Sequence, residues 1–382
     1  MAAFQEYFDE SHQLVRDSVR RFVEREILPH IDDWEEAEEF PRELYKKAGD
    51  AGILGIGFPE PFGGSHEGDL FAKIAASEEL IRCGSTGLVS SLCSLDIGLP
   101  PVLKWARPAI RDRVVPEVLA GDKIIALAIT EPGGGSDVAN LQTRAVREGD
   151  HYRVTGSKTF ITSGVRADYY TVAVRTGGEG FGGVSLLLVE KGTGGFSVGR
   201  KLKKMGWWCS DTAELFFDDC RVPVENLIGA ENMGFAGIMA NFQSERLALA
   251  LMANMTAQMA LEDALAWARD RKAFGKPISK FQVIKHRLAE MATQLEVSRE
   301  FTYRQAAKMS AGKNVVKEIS MAKNFATDVS DRIVYDATQI LGGMGFMRES
   351  RVERLYRDNR ILSIGGGTRE IMNEIISKQM GL

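Results

Sequence analysis

The sequence predicts a mainly α-helical chain interrupted by a β-barrel middle domain, on three observations. Apolar residues recur at helical spacing up to residue 122. Valine-, phenylalanine-, tyrosine- and threonine-rich runs, punctuated by glycine pairs, fill 123–232. Long helix-forming stretches free of proline dominate from 233 onward. The expected domains are therefore 1–122, helical; 123–232, β; and 233–382, a helical bundle. At 382 residues the chain is long enough for an ample core.

In the first domain Leu14, Val15, Val19, Phe22, Val23 and Ile27 form a helical stripe over 11–30 that Pro29 ends. Further helices are expected near 41–53, 69–83, 87–95, 98–106 and 108–120. Ser90, Ser91, Cys93 and Ser94 are small residues on one of these helices; they either pack closely or leave room for a ligand. The period then changes. Strands are expected near 123–129, 140–147, 151–156, 168–175, 183–190, 196–201 and 212–222. No long helix separates them, which favours antiparallel hairpins over a parallel nucleotide-binding sheet. No glycine loop between a strand and a helix carries the dinucleotide fingerprint. The bundle reads as helices over 234–273, 280–311, 315–343 and 368–380, with Ile284, Leu288, Met291 and Leu295 as one apolar stripe.

Composition excludes several classes. Hydrophobic content of 44%, charged content of 26% and a net charge of −4 leave no basic surplus for a nucleic-acid backbone. Four cysteines without a CxxC pair read as reduced thiols, and five scattered histidines offer no metal-ligand spacing. The acidic N-terminus lacks the apolar core of a secretory signal. No stretch is read as reaching the ~18 apolar residues of a membrane span, so a cytoplasmic location is expected.

The candidate chemistry centres on Glu245, which stands beside Arg246 at the head of the apolar run Leu247–Ala253. Burial of a lone carboxylate disfavours its charged form and suits it to general-base work; the plainer alternative is a solvated glutamate near a helix start. The loop Ile129-Thr-Glu-Pro-Gly-Gly-Gly-Ser-Asp137 offers glycine backbone and hydroxyls to a flat heteroaromatic ligand. A second loop, Lys158-Thr-Phe-Ile-Thr-Ser-Gly164, adds an aromatic face. Arg271 to Gln282 combines cations with aromatics, and Ile364-Gly-Gly-Gly-Thr-Arg-Glu370 sets three glycines before a helix N-terminus.

Together these motifs, with Arg271-Lys-Ala-Phe-Gly275 and Gln339-Ile-Leu-Gly-Gly343, resemble the acyl-CoA dehydrogenase family over essentially the whole chain. The resemblance implies a C-terminal four-helix domain and a homotetramer with one FAD per subunit. It implies that Leu127, Ile129, Thr130 and Ser136 line the flavin, with Phe160, Ile161 and Thr162 against its ring. Arg271, Phe274, Gln282, Gln339 and Gly343 would hold the ADP portion, partly across a subunit interface. Thr368 and Glu370 match the final flavin contacts, and Ser136, Gln243, Arg246, Gly366 and Gly367 would face the acyl-CoA.

One departure sharpens the resemblance. Many members carry their catalytic glutamate where this chain has Gly366. A smaller group, including the isovaleryl-CoA and long-chain enzymes, takes the base from the earlier helix, where this chain has Glu245. Trp208 stands where many relatives have arginine, and Ala236 where that smaller group tends to have tyrosine. The implied reaction is α,β-dehydrogenation of an acyl-CoA, long-chain or branched, to trans-2-enoyl-CoA. Glu245 would take the α-proton and a hydride would pass to flavin N5. An electron-transfer flavoprotein would accept the electrons. Two alternatives stand beside it: an acyl-CoA oxidase or flavin monooxygenase on the same fold, and a non-catalytic binding or scaffold protein.

Overall fold

The computed structural model describes residues 4–382. Seven helices come first: α1 (Glu10–Phe22), α2 (Ile31–Glu36), α3 (Glu43–Asp50), α4 (Leu70–Ile81), α5 (Thr86–Leu92), α6 (Leu95–Trp105) and α7 (Pro108–Leu119). Asp9 caps α1 by accepting from the Ser11 and His12 N–H groups, and Asp69 caps α4 by accepting from Phe71 and Ala72. A second bond from the Asp69 cap reaches His12 Nε2 at 3.0 Å, which fixes α1 against α4. Buried Glu78 and Glu79 on α4 pair with Arg16 and Arg20 on α1.

Thr86–Trp105 is long and apolar enough to cross a membrane by length and composition alone. It is mostly buried inside the fold, and it breaks into two helices at Cys93 and Ser94. These residues serve as core. The small side chains there pack and bond: Ser91 Oγ lies 3.0 Å from Ser210 Oγ, and Ser94 donates to the Ile125 carbonyl.

Eight strands follow: β1 (Ile125–Ala128), β2 (Arg144–Glu148), β3 (His151–Thr162), β4 (Tyr169–Arg175), β5 (Val184–Glu190), β6 (Phe196–Lys201), β7 (Thr212–Pro223) and β8 (Leu227–Ile228). Their order is β6-β7-β3-β2-β4-β5-β8, with β1 on β4. Most pairs are antiparallel as expected, but β1 lies parallel to β4. The two halves of the sheet meet at one pair, Arg144 and Arg175, and among the described residues no pairing joins β6 to β8. The barrel is thus an open one. The segment from Lys158 to Thr162, read from sequence as a loop, is instead the end of β3, held on β7 with a register shift between Lys158 and Ile161.

The helical part contains α8 (Gly234–Asp270), α9 (Gln282–Ser310), α10 (Val316–Leu341), α11 (Gly343–Phe346), α12 (Arg351–Asn359) and α13 (Arg369–Gln379). At 37 residues α8 spans ~55 Å, and it packs along α10. The Asn241 side chain on α8 donates to Ile97 O on α6, and Thr171 on β4 donates to Gly98 O. These bonds place all three parts of the chain around the first turns of α8.

Candidate active site

Glu245 lies three turns into α8 and is half-buried. Its neighbour Arg246 is buried, with Nε unpartnered, and packs over the Phe242 ring. Facing Glu245 from α10 is Lys323, only 1% exposed. Sequence reasoning missed this lysine, although its place in the buried stripe Ile319, Ala322, Lys323, Ala326 was visible. The third wall is the glycine turn before α13. There Lys323 donates to Gly365 O at 2.5 Å and also to Gly367 O.

Gly366 adopts φ +62°, and a Cβ placed on it would lie 2.5 Å from Leu249 Cδ1 and 3.4 Å from Glu245 Oε1. The Glu245 carboxylate therefore occupies the space beside Gly366 that a side chain at that position would enter. Among the described residues no donor bonds this carboxylate. Burial pushes its pKa up; Lys323 and Arg246 pull against that without cancelling it. Burial also lowers the Lys323 ammonium to about 8, against the attraction of Glu245. Nearby, Gln243 Oε1 is buried without a partner. A carboxylate without donors, raised in pKa and set beside a cation, is the arrangement of a base awaiting a proton.

The β-domain contributes a second group. The Thr159 N–H donates to Thr130 O, which joins the 129–137 loop to the end of β3. Beneath it lies a wholly buried ion pair: Lys158 Nζ sits 2.7 Å from Glu131 Oε1 and 2.8 Å from Ile129 O. Phe160 projects outward, 68% exposed, with φ +59°. Ile161 turns inward and is only 2% exposed, so its side chain serves the core rather than a ligand face. Thr162 and Leu127 are half-buried, Ile129 is buried and Ser136 is exposed. Gly133 and Gly134 face open space. An outward aromatic beside open glycine backbone and hydroxyls suits a flat, hydrogen-bonding cofactor.

Other expected residues lie elsewhere. Arg271, Phe274 and Gln282 sit beyond the far end of α8, all exposed, Phe274 at 95%. Gln339 and Gly343 are exposed at the far end of α10. Thr368 caps α13 by accepting from the Ile371 N–H, and Glu370 is exposed in the first turn. Trp208 is held between the guanidinium groups of Arg357 and Arg348, at 3.7 and 4.3 Å from its ring centre.

Three family models match along the chain: acyl-CoA dehydrogenase N-terminal domain over residues 9–122, middle domain over 126–220 and C-terminal domain over 232–381. The long-chain specific acyl-CoA dehydrogenase of Mus musculus mitochondria is 39% identical over 381 residues, covering 98% of this chain and 87% of that one. A probable acyl-CoA dehydrogenase from Mycobacterium abscessus superposes with a TM-score of 0.96 at 52% identity, covering 98% and 100% of the two chains. A glutaryl-CoA dehydrogenase from Mycobacterium smegmatis, solved with FADH2, gives a TM-score of 0.93 at 26% identity, covering 99% and 96%.

Proposed function

The chain belongs to the acyl-CoA dehydrogenase family, with FAD as its cofactor, and from that premise we propose that Glu245 is its catalytic base. The substrate we propose is a long-chain or branched acyl-CoA, and the product its trans-2-enoyl thioester. The observation that carries this reading is the Glu245 carboxylate, unbonded and raised in pKa, lying against the Cβ space of Gly366.

The thioester carbonyl acidifies the neighbouring C–H bond, yet a solvated carboxylate is too weak a base to exploit it. Two features of this site shift that balance. Burial raises the proton affinity of Glu245. The Gly366 and Gly367 N–H groups have no backbone acceptor among the described residues, which leaves them free to bond the oxygen where enolate charge builds. When bound, FAD supplies the acceptor for the hydride that leaves the β-carbon. Thr130, Thr162 and the outward Phe160 would hold its ring system.

The far residues support an oligomeric site. Arg271 lies 26 positions after Glu245, ~39 Å along the helix direction and beyond the reach of an extended dinucleotide. Gln339 lies ~24 Å along α10 from Lys323. We therefore assign Arg271, Phe274, Gln282, Gln339 and Gly343 to the ADP portion of a cofactor bound mainly by a second copy of the chain, in a homotetramer. As electron acceptor we propose an electron-transfer flavoprotein.

The test is anaerobic reduction of the FAD-loaded protein by acyl-CoAs of graded length and branching, followed by exposure to air. Rapid bleaching by long or branched substrates with slow reoxidation is expected. Fast reoxidation by O₂ would favour an oxidase, and no bleaching by any acyl-CoA would overturn the proposal.

A further inference from the structure

Lys323 is costly to bury and bonds no carboxylate, yet it occupies the core-facing stripe of α10. Two of its donors are committed to the carbonyls of Gly365 and Gly367. The charged groups that act on it are Glu245 and Arg246, both on α8. The turn it grips is three consecutive glycines, two of them at positive φ, +62° at Gly366 and +96° at Gly367. Such a segment has more accessible backbone conformations than any other of its length, so something must select one.

Peptide planarity supplies the link to chemistry. The Gly365 carbonyl and the Gly366 N–H belong to one rigid unit and point in opposite directions. A cation that fixes the carbonyl toward α10 therefore fixes the N–H away from α10, on the side of the turn opposite Lys323. We propose that Lys323 is a positioning residue: by clamping the Gly365 and Gly367 carbonyls it aims the Gly366 N–H at the substrate thioester oxygen. This inference rests on the function proposed above and adds to it the group that orders the oxyanion donor. It also accounts for a lysine at this place. A shorter donor would not reach two carbonyls from the α10 backbone, and an apolar residue would leave both carbonyl oxygens without this donor.

The clamp can be read directly from the carbonyl it serves. A trans-2-enoyl-CoA labelled with ¹³C at the thioester carbon, bound to the FAD-loaded enzyme, reports hydrogen bonding as a lowered C=O stretch in isotope-edited infrared difference spectra. Wild-type protein should show the downshift. Lys323→Met should lose more than about half of it, with kcat down about 10²-fold, the scale of losing one oxyanion donor. Its KM should stay within about threefold, since ground-state binding is little touched. Lys323→Gln, a shorter neutral donor, should give an intermediate shift and an intermediate kcat. A full downshift in the Met variant, or in the Gln variant should Met fail to fold, would overturn the clamp. Absence of any downshift in wild-type protein would instead count against the function proposed above, so the two failures are distinguishable.

Discussion

Two buried lysines in this chain each stand beside a glutamate, and burial lowers both to a pKa of about 8. The similarity ends there. In the β-domain Lys158 bonds Glu131 directly, and Glu131 also accepts from the Gln142 and Thr143 N–H groups. Burial alone would push the Glu131 carboxyl up, but Lys158 and these bonds outweigh it and hold it below its ordinary value. In the helical domain Lys323 spends its donors on carbonyls, leaving Glu245 without a bond and with a raised pKa. Satisfied, a buried carboxylate is a brace; unsatisfied, it is a base.

The comparison is broken most severely by Glu245→Gln. Turnover should fall ~10²–10⁴-fold while FAD stays bound, because one general base contributes on that scale. Single-turnover reduction by the best substrate, with the cofactor absorbance as control, checks it. Next in size is Lys158→Met, which leaves the Glu131 charge buried without its partner and should cost about 3–5 kcal/mol of stability. Denaturant unfolding measures this, and a loss below 1 kcal/mol would deny Lys158 the role of brace.

A third expectation concerns pH. The raised Glu245 pKa places the acid limb of the kcat/KM profile above 4.5, with activity rising as the carboxyl deprotonates. The smallest effect is thermal. Because folding raises the Glu245 pKa, the favourable contribution of this group is full below pH 4.5 and is lost as pH rises through the folded-state value. At neutral pH Glu245→Gln should therefore raise Tm. A lowered Tm would mean that the carboxylate is braced after all.

The helical ends and the strand-rich centre were legible in the sequence for physical reasons. Helical and strand periods differ, whereas Glu245 stood out from other helix-start glutamates only through the family resemblance, which implies a base on the earlier helix where residue 366 is glycine. Lys323 was legible only as a lysine within the apolar stripe of α10; that this stripe faces Glu245 on α8 depends on tertiary packing. That the Ile161 side chain points into the core was not legible, because the motif around it reads as a loop but is the end of β3. The spread of Arg271 and Gln339 away from Glu245 emerges only once α8 and α10 are seen as single rods.

The distinction between brace and base is tested most directly by titrating the Glu245 carboxyl itself. Infrared difference spectra of wild-type protein against Glu245→Gln isolate the C=O stretch of the protonated acid as pH is varied. We expect that band to persist above pH 4.5 and to vanish only at higher pH. A band already lost at or below pH 4.5 would show an ordinary, stabilised carboxylate and would contradict the assignment of Glu245 as the poised base.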